Sequence, residues 1–267
     1  MPRVFKSIGS LLGLKRPDGG GASLRPRLPE GRRIYAIGDI HGRLDLFEQM
    51  VAQIEADDTN RGDADTLVIL LGDLVDRGAD SAGVIAAARA WQKTRPVRML
   101  MGNHEEMFLR SLNEEAAMRQ FLRVGGRETV LSFGLTREEY RTLSHDHVIA
   151  RMRELVPADV VAWLQSAEDI IAEGDYVFAH AGIDPAAAID AQSPSDLRWI
   201  REPFLSHGEK MAVCVVHGHT IRDEVEIRRV SGWPNRIGID TGAFRTGRLT
   251  ALGLQGSERW VMEASQD

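Results

Sequence analysis

One phrase repeated three times constrains the fold more than any other feature of the chain. Three short apolar runs, Ile34-Tyr35-Ala36-Ile37, Leu67-Val68-Ile69-Leu70-Leu71 and Val97-Arg98-Met99-Leu100-Met101, each end in a glycine, and the next residue is Asp39, Asp73 or Asn103. Apolar runs of this length stopped by glycine read as buried strands that end in a turn. Between them Leu44, Phe47, Met50, Val51 and Ile54 recur at helical spacing, and the Ala-rich stretch from Ser81 to Lys93 favours a second helix. The order strand, helix, strand, helix, strand predicts parallel strands joined by right-handed crossovers. Ligands of such sheets bind beyond the carboxyl ends of the strands, so the loops after Gly38, Gly72 and Gly102 are expected to converge on one site.

The remainder organises around that unit. The stretch from Glu105 to Glu173 is mostly helix-like, broken at Gly125-Gly126 and Gly134, and reads as a helical insertion or cap. Strand candidates follow at 176–179, 211–216, 236–239 and 249–252, which suggests a second sheet. The fold class expected is therefore α/β. A chain of 267 residues lies near the upper end of what one core supports, so one domain is expected over 32–267. Residues 1–31 read as a flexible arm, because Lys15 to Gly31 carries prolines and the Gly19-Gly20-Gly21 triplet. Apolar residues at rough helical spacing over 4–14 allow only a weak interfacial helix, since the segment is short and contains two glycines.

Composition narrows the partners. At 43% hydrophobic and 27% charged the chain reads as folded, and a net charge of −6 disfavours a nucleic-acid binder working through a broad basic surface. No apolar run approaches the roughly 20 residues of a membrane-spanning helix, and the N-terminus does not read as a secretory signal. A single cysteine, Cys214, excludes an intramolecular disulfide framework and a Cys-rich metal site, and suits a reducing compartment. A cytoplasmic protein without stable membrane insertion is expected, and any metal must be held by His, Asp, Glu or Asn.

The strand-end loops carry that chemistry. They read Gly38-Asp39-Ile40-His41-Gly42, Gly72-Asp73-Leu74-Val75-Asp76-Arg77-Gly78 and Gly102-Asn103-His104-Glu105, and two later strand candidates end in His180-Ala181-Gly182 and His217-Gly218-His219-Thr220. Each piece alone is most simply a turn or a helix cap. Together they hold five of the eight histidines, and Asp, Asn and His converging at one sheet edge suit divalent transition metals, with enough donors for two ions.

This series resembles the metallophosphoesterase superfamily, and more narrowly the bacterial and phage branch of the phosphoprotein phosphatase family. Val124-Gly125-Gly126 with Thr129, Arg198-Trp199-Ile200-Arg201 and Ile239-Asp240-Thr241-Gly242-Ala243 are also similar to that branch. The resemblance implies a calcineurin-like fold of two mixed β-sheets packed face to face and flanked by helices. It implies that Asp39 and His41 hold one metal, that Asp73 bridges two, and that Asn103, His180 and His219 complete the second. Manganese is the expected metal, with iron, zinc or cobalt open to the same donors. A hydroxide between the ions is the family's nucleophile, His104 matches its general acid, and Asp76 matches the carboxylate that orients the imidazole. Arg77 and Arg201 match the phosphate-binding arginines, with Asn103 beside them.

The expected activity is a serine/threonine protein phosphatase acting on phosphorylated proteins or peptides. A related branch cleaves dinucleoside polyphosphates, but there the first motif carries Gln where this chain has His41 and the third ends in Asp where it has Glu105. A phosphodiesterase or nuclease is disfavoured because Thr220 is followed by Ile221, and an inactive metal-binding scaffold because no donor is missing. The chain lacks the C-terminal tyrosine-bearing loop of eukaryotic members, so no eukaryotic-type regulatory subunit is expected. Asp240 is either an orienting partner or a turn carboxylate, His217 a partly exposed or supporting residue, Cys214 packing, and Glu105 a helix cap that need not touch a metal.

Overall fold

The structure is a computed structural model that describes residues 25–266. The helix considered over 4–14 and most of the N-terminal arm lie outside the described residues. Two five-stranded sheets form the molecule. In the first, β1 (Arg32–Ile37), β2 (Asp65–Leu70) and β3 (Val97–Met99) run parallel, and β9 (Arg248–Gln255) and β10 (Glu258–Ser265) extend it antiparallel on the β1 side, giving the order β10-β9-β1-β2-β3. In the second, β5 (Tyr176–Ala179), β6 (Cys214–His217) and β8 (Trp233–Gly238) are parallel, with β4 (Ile170–Glu173) and β7 (Glu226–Val230) as antiparallel edges.

Alternation along the strands builds three apolar layers. Ile34 and Ala36 of β1 and Leu67 and Ile69 of β2 face Phe178, Cys214, Val216 and Ile237 of the other sheet, so the two sheets pack face to face. The opposite residues, Tyr35, Ile37, Val68 and Leu70, meet Phe47, Met50 and Ile54 of α1 (Leu44–Asn60) and Val84, Ile85 and Ala88 of α2 (Ser81–Trp91). The outer face of the second sheet, through Val177, Ala179 and Val215, packs on Leu197, Ile200 and Phe204. Strands buried on both faces need continuous apolar sequence, which is why β1 and β2 read as unbroken runs.

The helical segment is α3 (Asn103–Ser111), α4 (Glu115–Phe121), a π-type turn at Leu122–Gly126, α5 (Arg127–Ser132), α6 (Arg137–Thr142), α7 (His145–Leu155) and α8 (Ala158–Gln165). It ends earlier than the sequence pattern suggests, because Ile170–Glu173 pairs with β5 as an edge strand. Contact with the body of the protein also begins before Arg32. Leu28 is buried between the sheets and its N–H donates to the Gly256 carbonyl at 2.9 Å, while the Arg27 N–H donates to Asp175. The described end of the sequence read as linker is thus held to the sheets at Arg27 and Leu28.

Candidate metal centre

Every motif read from the strand ends meets at the edge of the two sheets. The loops that carry them are tightly turned. Six described residues other than glycine have a positive φ, and five are His41 (48°), Asp73 (52°), Asp76 (75°), Arg77 (70°) and His219 (63°). Non-glycine residues avoid this region by roughly 1–2 kcal/mol each, so the fold holds these side chains against local preference. Gly218 shows how close the approach is, since a Cβ there would sit 2.0 Å from Asp39 Oδ1.

Asp73 lies at the middle of the cluster. Its Oδ2 is 3.6 Å from His41 Nε2 and 4.0 Å from His104 Nε2, and its Oδ1 is 3.4 Å from His180 Nε2. Two groups of donors close enough to hold an ion therefore share this one carboxylate, His41 with Asp73 and His104, and Asp73 with His180 and His219. Asn103 belongs with the second, its Oδ1 lying 3.0 Å from His180 Nε2 and 2.8 Å from His219 Nδ1. Asp39 stands beside them, accepting the His219 N–H at 3.1 Å.

The imidazoles are held so that a lone pair faces inward. His41 Nδ1 donates to the Val75 carbonyl and His180 Nδ1 to the Leu71 carbonyl, each at 2.8 Å, which leaves at Nε2 a lone pair, and not a proton, to offer a cation. Burial lowers His180 to about 3, and burial followed by the neighbouring His180 and Arg201 lowers His219 to about 2, so both rings are neutral at neutral pH.

The charges ask for a cation. Asp39, Asp73, Asp76, Glu105 and Asp240 are the buried carboxyl groups among the described residues, and all five belong to this cluster. Burial raises Asp39 well above its usual range, with Asp240 and Asp73 adding to the effect, and burial raises Asp73 as well. Buried like charges of this kind persist when they are paired or coordinate metal. His219 Nε2 is in addition a buried nitrogen with no hydrogen-bond partner among the described residues. The donor set of carboxylate, amide oxygen and imidazole fits divalent metals, and the groups that could hold an ion are His41 with Asp73 and His104, and Asp73 with His180 and His219, with Asp39 and Asn103 beside them.

His104 turns its two nitrogens to different tasks. Nδ1 donates to Asp76 Oδ2 at 2.6 Å, while Nε2 faces the cleft and accepts from Arg77 Nη2 at 2.9 Å. The other arm of the same guanidinium donates to His41 Nε2 at 2.8 Å. Arginine only donates, so both Nε2 atoms must carry lone pairs here. Burial lowers the His104 pKa and Asp73 opposes that shift. Arg201 is exposed at the cleft edge, two residues beyond Trp199.

The structure also resolves the side chains left open above. Asp240 is buried next to Asp39 and its Oδ1 accepts the Gly242 N–H at 2.9 Å, so it serves the turn and the charge cluster together. His217 is neither exposed nor beside the metal donors. Strand alternation sends it with Val215 to the outer face of the second sheet, edge-on to Phe204 at 5.1 Å, and only the left-handed turn at His219 directs the next imidazole inward. Burial pushes the Cys214 thiol up to about 12, consistent with packing. Phe244, which no motif flagged, lies edge-on to His41 at 5.3 Å and under Arg77 at 4.7 Å.

Glu105 does more than cap a helix. Its carboxylate accepts the backbone N–H groups of Asp73 and Leu74 at 2.7 Å, and of Val75 and Gly102 at 3.2 Å, tying the loop after β2 to the loop after β3. Glu105→Ala strands these donors, and at about 1–3 kcal/mol for each one left unsatisfied the expected destabilisation is about 3 kcal/mol or more, after allowing for entering water. Denaturant unfolding checks this, and an unchanged midpoint would show that the tie is dispensable.

The family model for calcineurin-like phosphoesterases matches residues 32–235. The chain is a calcineurin-like phosphoesterase. Among curated proteins, this phosphoesterase is 26% identical to serine/threonine-protein phosphatase 1 of Salmonella typhimurium over 84% of its own length and 93% of that protein. It is 27% identical to the asymmetrical bis(5'-nucleosyl)-tetraphosphatase PrpE of Bacillus velezensis over 86% of its length and 92% of that protein. A solved structure of a protein provisionally named a diadenosine tetraphosphatase superposes with a TM-score of 0.59 at 20% identity, covering 88% of this chain and 95% of the other. That likeness bears on the fold, and the two-sheet architecture agrees with it. No helix among the described residues is long and apolar enough to cross a membrane.

Proposed function

We propose that this phosphoesterase is a serine/threonine protein phosphatase that releases phosphate from phosphorylated protein or peptide side chains, using two divalent ions, with manganese the first to test. The observation that carries the substrate class is the charge of the cleft. It has a volume of about 200 Å³, its deep residues include Asp73, Asn103 and His104, and the permanent cations lining it are Arg77 and Arg201. Two guanidinium forks match the oxygens of one phosphoryl group, whereas a dinucleoside tetraphosphate brings a run of phosphates that asks for more positive charge. The exposed Trp199 and Val124 at the rim offer apolar surface to the residues flanking a phosphorylated side chain.

Two divalent cations, when bound at such a centre, acidify water and neutralise charge on a phosphoryl group. The chain's own residues do the rest. Arg201, and Arg77 once it turns from the two imidazoles it contacts, orient the phosphoryl oxygens, and Asn103 lines the same cleft as part of the second donor group. To serve the departing alkoxide as an acid, His104 takes up a proton at Nε2 once Arg77 has turned from that nitrogen to the phosphoryl group, and Asp76, buried against Nδ1, stabilises the imidazolium so formed and keeps the ring in register. Arg201→Ala should weaken inhibition by inorganic phosphate about tenfold, the loss of one charge-assisted hydrogen bond. An unchanged inhibition constant would move the phosphate contact elsewhere.

The test of the function is hydrolysis by metal-stripped protein, with and without manganese, of a phosphothreonine peptide and of diadenosine tetraphosphate. Manganese-dependent phosphate release from the peptide is the expected result. Cleavage of the dinucleotide alone would overturn the substrate class, and silence on both would favour a binding role.

A further inference from the structure

The helical segment reaches back into the site at two points, and both act on the loop after β2. The Arg77 N–H donates to the Gly125 carbonyl at 3.1 Å, and Gly125, at φ 125°, lies so close that a Cβ would meet Arg77 Cγ at 2.6 Å. Thr129 of α5 contacts the neighbouring residue. Its Oγ1 donates to Asp76 Oδ1 at 2.6 Å and accepts the Asp76 N–H at 2.9 Å, and Ser81 Oγ lies 2.9 Å from Thr129 Oγ1 and 3.0 Å from the Asp76 N. Asp76, Ser81 and Thr129 are all fully buried.

Counting donors assigns each group one task. Thr129 has a single hydroxyl proton, and Asp76 Oδ1 is the carboxylate that takes it. The Ser81 hydroxyl donates back to Thr129, and the Asp76 N–H is shared between the two hydroxyl oxygens. Asp76 is thereby gripped at both oxygens, by Thr129 on Oδ1 and by His104 on Oδ2, so its plane is fixed. Without Thr129 the Asp76 N–H keeps Ser81 as acceptor, but among the described residues Oδ1 has no second donor. The contact therefore bears on the carboxylate more than on the backbone.

We infer that Thr129 is a positioning residue for the His104–Asp76 pair, through which the helical segment determines how readily a poor leaving group is expelled. The inference rests on the proposed role of His104 as the proton donor, and it adds a residue from outside the strand-end loops on which expulsion depends.

The experiment compares phenyl phosphate with an activated dinitrophenyl phosphate in the metal-loaded protein and in Thr129→Val, Thr129→Ser, His104→Asn and the Thr129→Val/His104→Asn double variant. Thr129→Val should lose roughly 10-fold to 100-fold on phenyl phosphate, a part of the 10²–10⁴ that a positioned acid supplies, and only a few-fold on the activated ester. Thr129→Ser should restore turnover, and Thr129→Val should cost nothing further once His104 is Asn, since a residue acting through His104 has no effect when His104 is gone. A loss equal on both esters, or one that persists undiminished in the double variant, overturns the inference. Leaving-group dependence in His104→Asn without any in Thr129→Val sinks it alone, whereas equal slowing of both esters in His104→Asn sinks the acid assignment itself. Should Thr129→Val not fold, Thr129→Cys, a weaker donor of similar size, is expected to show the same skew at smaller amplitude.

Discussion

Asp73→Asn is expected to lose at least one of two bound ions and to cut turnover by about 10³-fold, the equivalent of several kcal/mol of transition-state stabilisation. The reason is the position of the carboxylate between the two donor groups, with Oδ2 toward His41 and Oδ1 toward His180. An amide keeps one oxygen but replaces the other with an NH₂ that repels a cation, and it removes the charge that both groups share. The same substitution has the opposite effect on the metal-free fold. Burial raises the Asp73 pKa, so its ionised form is held at a cost at neutral pH, and the neutral isostere relieves that cost while its oxygen can still accept the His104 N–H. Metal-free Asp73→Asn should therefore melt no lower than the parent, while the rise in melting temperature on adding manganese is largely lost. Ion stoichiometry by equilibrium dialysis, turnover and thermal melts check all three. A variant that retains two ions and normal turnover would remove Asp73 from its proposed place.

His104→Asn is the second large effect. Phenyl phosphate hydrolysis should fall roughly 10²-fold to 10³-fold, whereas an activated dinitrophenyl ester, whose leaving anion needs little protonation, should slow far less. Nε2 faces the cleft and Nδ1 is anchored at 2.6 Å on a carboxylate with no exposure to solvent, so that a proton taken up at Nε2 after Arg77 has left it gives a cation which that carboxylate stabilises. Asparagine is close to the ring in its first atoms and can keep a contact with Asp76, so the comparison removes the proton carrier with little change of packing. Equal slowing of the two esters would assign His104 to metal binding instead, a role that its distance of 4.0 Å from Asp73 Oδ2 also permits.

The parts of the fold that were legible in the sequence are those whose burial is complete. β1, β2, β5 and β6 are apolar because both faces are covered, and α1 and α2 show their helical period because one face packs on a sheet. The strands missed have different surroundings. β7 exposes its central residues, and β4 sits at the end of a helical run where a four-residue edge leaves little pattern. β10 is an edge strand whose inward residues, Trp260, Met262 and Ala264, alternate with Arg259, the exposed Val261 and Glu263. An alternation count over 258–265 would have found it. Glu105 and Thr129 could not be read as they are used, because a carboxylate that receives amides from another loop and a hydroxyl that touches a carboxylate 53 residues away leave no local trace. His217 was placed with His219 by strand periodicity, which fails where the backbone turns left-handed between them.

The sequence by itself determined which residue types stand at each strand end, and so the kind of chemistry available. Gly-Asp and Gly-Asn at the ends of apolar runs carry their meaning locally, since a buried strand must stop where polar side chains and a glycine turn begin. Only the tertiary structure decided how those ends share one centre. Asp73 lies between two donor groups because β1, β2 and the strands of a second sheet end at the same edge, and contacts between residues more than 100 positions apart depend on packing that no local pattern encodes. The tie of Glu105 across two loops and the grip of Thr129 on Asp76 belong to the same category. They arise because buried N–H groups and carboxylates must find partners wherever the fold brings one within reach.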